Sequence, residues 1–177
     1  DEINLMEVDA RAGFDEPARK VATSIVRGVA GLQQQAQFSN VSGEQLKEAF
    51  RQLGTGDVWQ TIDDVQWRYD QEAGASILTI SGTGPIDWDD DGNGARSLAL
   101  PGGGFNPPDR RIRASDQDQD APFYSRPQYN CYVTTVRLPS STEAKHWSSK
   151  SGFDAEFFGN NYYRAMELRD GAIRMVR

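Results

Sequence analysis

The sequence predicts an α+β, mostly β fold: an antiparallel sheet or sandwich of about seven to nine strands with one amphipathic helix, about 43–53, packed on it. Three observations carry this. Period-2 alternation recurs, most clearly in "VQWRYD" (65–70), where Val65, Trp67 and Tyr69 share one face and Gln66, Arg68 and Asp70 the other. A single segment combines helical periodicity with a cap. The chain also closes on an Asp170-Gly171 pair, the type I′ combination that matches strand twist.

Taken in order, "INLMEV" (3–8) alternates loosely and reads as a strand. "GFDEPA" (13–18) is a turn in which Pro17 fixes φ. "KVATSIVRGVAGL" (20–32) is rich in β-branched residues, with Val21, Thr23, Ile25, Arg27 and Val29 on one parity. It therefore reads as a strand whose end is blurred by "GLQQQAQF". Ser42 and Gln45 then form an S-x-x-Q capping box, each side chain satisfying a free backbone donor. Leu46, Ala49, Phe50 and Leu53 follow at helical spacing as one apolar stripe, and Gly54 stops the run.

Beyond the helix the pattern is β again. "VQWRYD" and "SILTISGTG" (76–84) flank the turn "EAGA" as a hairpin, and "ARSLAL" (95–100) is a short strand. Residues 101–130 are dense in Pro, Gly and Asp and read as a long loop or meander. "CYVTTVRLP" (131–139) is a strand, and "NYYRAMELRDGAIRMVR" ends the chain as a hairpin. No repeat or linker interrupts this order, so residues 1–177 read as a single domain. Its opening Asp and its strand-like close suggest a piece excised from the C-terminal part of a longer protein.

Composition narrows the functions. The net charge is −7 and the pI about 4.7. The basic run Arg110, Arg111 and Arg113 is followed at once by Asp116, Asp118 and Asp120, so the basic face that nucleic acid requires is missing and no nucleic acid is expected as a partner. No apolar run approaches the ~18 residues of a membrane span. Cys131 is the only cysteine, which rules out an internal disulfide and a thiolate-rich zinc site.

"DWDDDGNG" (87–94) is the stretch closest to chemistry. It matches the opening of a calcium loop in two registers, through Asp87, Asp89, Asp91 and Gly92 or through Asp89, Asp91, Asn93 and Gly94. The metal candidates are therefore Asp87, Asp89, Asp91 and Asn93, with Ca2+ as the cation. Against this, the position of the bidentate Glu is taken by Leu98 or Leu100, and the context is a strand turn rather than two helices. The other reading is a solvated turn whose Asp and Asn side chains bond their own backbone.

Cys131, His146 and Asp154 follow the Cys, His, Asp order of a papain-like triad, but Cys131 falls within a strand pattern and His146 in the polar loop "EAKHWSSKSG". No catalytic residue is assigned. "PGGGF" lacks the Lys-Ser/Thr of a phosphate loop. Trp67 and Tyr69 share the parity of Val65 and read as core, whereas Trp88 and Trp147 are the aromatic residues best placed for exposure to a ligand.

At "VDARAGFDEPA", "WRYD…GASILTISGTGPIDWDDDG", "ALPGGGF", "YVTTVRLP" and "NYYRAMELRDGAIRM" the chain resembles the β-rich region that follows the catalytic core in bacterial transglutaminase-like (papain-superfamily) proteins. These are exported or envelope-associated proteins of Gram-negative bacteria that begin with a domain of unknown function. The resemblance covers nearly the whole chain and rests on strand patterns. The family's catalytic Cys, His and Asp would precede this segment, and no position here matches their motif. It implies a non-catalytic accessory domain with a scaffolding or binding role, partnered by the transglutaminase-like core and located in the periplasm or envelope. The residues alone leave open a different class, a calcium-dependent module for a glycan or peptide ligand built on Asp87, Trp88, Asp89 and Asp91.

Overall fold

In the computed structural model, residues 1–54, 58–104, 112–122, 129–149, 152–157 and 159–177 are described. Much of the expected 101–130 loop, including Arg110 and Arg111, lies outside them. The described elements are β1 (Glu2–Asp9), β2 (Ala18–Arg27), α1 (Val29–Phe38), α2 (Gly43–Gly54), β3 (Thr61–Asp70), β4 (Ala75–Gly84), β5 (Asp89–Asp90), β6 (Arg96–Ser97), β7 (Asn130–Arg137), β8 (Phe153–Phe157), β9 (Asn160–Arg169) and β10 (Ala172–Val176). The fold is α+β and mostly β. Eight strands form one sheet in the order β3-β4-β2-β1-β7-β10-β9-β8, and β5 and β6 make a separate two-stranded ribbon.

The sheet is mixed where an antiparallel one was expected. β1 lies at its centre, antiparallel to β2 but parallel to β7, with Ile3 opposite Cys131 and Val8 opposite Val136. Parallel neighbours need a long crossover. The whole of residues 10–129 separates β1 from β7, so no local turn signal could announce the pairing.

Two further expectations are corrected. The strand read through residue 32 ends at Arg27; the chain turns at Gly28, with φ 70°, and continues as α1. "ARSLAL" contributes only the two residues of β6 to a strand. α2 matches the capped helix: the Ser42 backbone N–H donates to Gln45 Oε1 at 3.0 Å, and the Gln45 N–H to Ser42 Oγ at 3.3 Å. The closing hairpin turns through Asp170 and Gly171, both at positive φ as a type I′ turn demands.

One face of the sheet holds the core. Toward β3 and β4, Leu46 of α2 packs on Ile62 and Val65, joined by Phe38, Phe50, Trp67, Leu78 and Ile80. Toward β1 and β7, Val8, Ala18 and Val136 are covered by Ile86, Leu98 and Leu100 from the segment after β4. Three bonds to carbonyls pin that segment down. Thr134 Oγ1 donates to Pro101 O at 2.7 Å, Arg164 Nη1 to Gly103 O at 2.8 Å and Arg177 Nη1 to Gly102 O at 3.0 Å. Among the described core clusters no residue comes from the opposite face, where Ile3, Leu5, Ile25, Ile77, Val133 and Val176 are all half-exposed.

Candidate functional site

Over β1 and β7 the core face meets a loop rather than a helix, and there the packing leaves space. A cavity of about 570 Å³ lies between the sheet and the segment after β4, with walls that include Met6, Val8, Leu98, Pro101 and Val136. That volume falls within the range of small-molecule sites. A second cavity of about 370 Å³ adjoins it, sharing Met6, Val58 and Pro101.

Lys20 reaches into the first cavity. It sits mid-strand on β2, opposite Val8 and Gly82, on the same parity as buried Ala18 and Val26. The residue is only 6% exposed. Its Nζ donates to Val58 O at 2.8 Å and to Pro85 O at 2.6 Å, tying the approach to β3 to the exit from β4. Gly84 leaves room for this, because a Cβ there would stand 2.1 Å from Val58 O and 3.2 Å from Nζ. An ammonium carries three donors. Two are used, and among the described residues no carboxylate forms an ion pair with Lys20. Burial pushes its pKa below the ordinary value of 10.5.

The acidic hairpin stands beside the same cavity. Asp87 and Asp89 line it and are exposed, while Asp89 pairs with Ser97 across the β5–β6 ribbon. Asp91 and Asn93 turn inward on the hairpin itself. Asp91 Oδ1 accepts the backbone N–H groups of Asn93 and Ala95 at 2.8 and 3.0 Å, which lowers its pKa. Asp90 Oδ1 accepts the Gly92 N–H at 2.8 Å, and Arg96 bridges from Asp90 to Asp15. The four metal candidates thus divide: two face the cavity and two build the turn. Among the described residues, no three acidic, His or Cys side chains converge as a cation site would require.

Behind the ribbon lies an aromatic cluster. Trp88 meets Phe14 edge-on at 5.1 Å between ring centres and Trp147 at 5.8 Å, and the Arg96 guanidinium caps Phe14 at 4.6 Å. Trp88 and Trp147, expected to be the exposed aromatics, are half-buried against one another. Trp67 is core, its Nε1 donating to Ser76 Oγ at 2.8 Å.

Cys131, His146 and Asp154 are placed apart by the sheet. Cys131 lies on β7, on the opposite face to the core, and its proximity raises the Tyr129 phenol pKa. Asp154 is on β8, three strands away in the sheet order, which is roughly 14 Å at ordinary strand spacing. His146 is exposed on a short 3-10 turn, Ala144–His146. None of the three lines a cavity described above.

The sequence reading passed over Lys20. Its signal was present: a lysine on the Ala18, Ala22 and Val26 parity of a strand, among residues that are small or apolar. No family model matches the chain, and no curated protein or solved structure matches it.

Proposed function

We propose that this chain is a non-catalytic accessory domain of a bacterial transglutaminase-like envelope protein, and that its scaffolding role is exercised through the sheet face opposite the helices. The observation that carries the reading is the one-sidedness of the sheet. Ile77, Ile25, Ile3 and Cys131 lie side by side on four adjacent strands, and Leu5, Val133 and Val176 form the next row. A one-layer sheet normally turns a polar face to water, whereas contiguous apolar rows favour a packed neighbour. The sequence resemblance supplies that neighbour, the catalytic core of the same polypeptide. The separation of Cys131 from Asp154, and its position in a central strand, also favour a role without turnover.

The test is to assay the chain for peptidase and amide-transfer activity alongside the full reading frame from which it derives. The reading expects no turnover from the chain alone and a transglutaminase-like core encoded ahead of it. Turnover that disappears on Cys131→Ala would overturn it.

A further inference from the structure

We propose that the cavity above β1, β2 and β7 binds a short zwitterionic ligand, an apolar dipeptide with free termini. The argument rests on three chemistries that share its lining. Lys20 is buried, 6% exposed, with two of its three donors committed to carbonyls and no ion pair to a carboxylate among the described residues. Asp87 and Asp89 line the same cavity yet remain exposed. The rest of the wall is largely apolar, with Met6, Val8 and Val136 contributed by the sheet.

A buried ammonium without an anion bears a desolvation cost that a carboxylate can offset, provided the carboxylate reaches it and accepts its free N–H. A ligand carrying only a carboxylate would place its other end beside two acids. One that also carries an ammonium has a partner at each end, and its apolar side chains displace water from the walls between. The roughly 570 Å³ available suits two apolar residues rather than a longer chain. The hairpin bonds of Asp91 fit this division of labour, because they hold the ribbon while leaving Asp87 and Asp89 outside the turn. This inference uses the covered face of the sheet and is independent of what packs on the other.

The test is calorimetric titration of the intact chain with L-leucyl-L-leucine, its N-acetyl derivative, which lacks the ammonium, and its C-terminal amide, which lacks the carboxylate. The expected result is saturable binding of the free dipeptide, with each blocked form weaker by about tenfold or more. In Asp87→Asn/Asp89→Asn the penalty for N-acetylation should vanish, and in Lys20→Met the penalty for amidation should vanish. If Lys20→Met does not fold, the Asp variant and the ligand panel still decide. No heat with the free dipeptide at millimolar concentration, equal affinity for all three ligands, or an N-acetylation penalty that survives the double substitution would each overturn the proposal.

Discussion

Lys20 shows how one side chain can serve the fold and strain it together. Its two hydrogen bonds hold the carbonyls of Val58 and Pro85, which no strand pairing satisfies, but its charge is kept away from water. Lys20→Met fills a similar volume and leaves both carbonyls unpaired. We expect a loss of about 1–3 kcal/mol in unfolding free energy at neutral pH, measured by urea denaturation. The pH dependence has a definite sign. The native ammonium titrates below 10.5, so between its native value and 10.5 the unfolded chain holds a proton that the folded chain has released. Stability from this group therefore rises with pH across that window, and the gap between wild type and Lys20→Met should widen as pH is raised toward 10.5. A gap that narrows would mean the ammonium is better accommodated in the fold than in water. Asp9 gives a slope of the same sign from the opposite cause, because in its case the fold favours the charged form. Its hydrogen bond from the Arg11 guanidinium holds its carboxyl at about 2, so its contribution is present above 3.8 and is lost as pH falls from 3.8 toward 2. Arg11→Ala should bring the Asp9 titration, followed by NMR, back toward 3.8.

At the scale of elements, the helices show what local sequence announces and what it does not. α2 was legible because its cap, its stripe and its stop coincide in one stretch; Leu46 and Phe50 of that stripe meet the sheet at Ile62 and Val65, whereas Ala49 and Leu53 stay exposed. Ser42→Ala should remove half of the capping box and cost about 1 kcal/mol, read from the denaturation midpoint. α1 was hidden because it has no stripe: Val29 is 73% and Leu32 55% exposed, three glutamines fill its centre, and its only buried residue is Gly31. Its placement comes instead from close approach to the end of β2, where a Cβ on residue 31 would stand 2.5 Å from Val26 O. Such a contact is tertiary and leaves no periodic trace. β8 was missed for a related reason, since "FDAEF" is too short to establish a period without its partner β9. In the candidate site the acidic hairpin was visible as turn chemistry, because Asp and Asn bond their neighbours. The cavity was not, because it is enclosed by residues as distant in sequence as Met6, Lys20, Leu98 and Val136.

Across the whole molecule, the sheet's two faces carry different obligations, and the alternation along β2 states the difference most sharply. Val21, Thr23 and Ile25 point to the face opposite the helices, while Ala18, Lys20, Ala22 and Val26 point to the core. Small residues on the inner side let the covering segment come close, as Ala18 does beneath Ile86 and Leu98. Larger apolar residues on the outer side supply area that the isolated chain leaves half-exposed. The asymmetry has a measurable consequence. Met175, fully buried on β10, should cost about 2–5 kcal/mol when replaced by alanine, since its removal opens a void among closely packed neighbours. Leu5→Ala and Ile25→Ala on the opposite face should cost much less in the isolated chain, because both residues are already half-exposed. If, as proposed, the chain belongs to a full-length protein whose catalytic core rests on this face, that ranking should change there. The substitutions Leu5→Ala and Ile25→Ala should then destabilise by amounts approaching those of a buried aliphatic residue, read as loss of hydrogen-exchange protection along β1 and β2. Equal effects of Leu5→Ala and Ile25→Ala in the chain alone and in the full-length protein would show that nothing packs there.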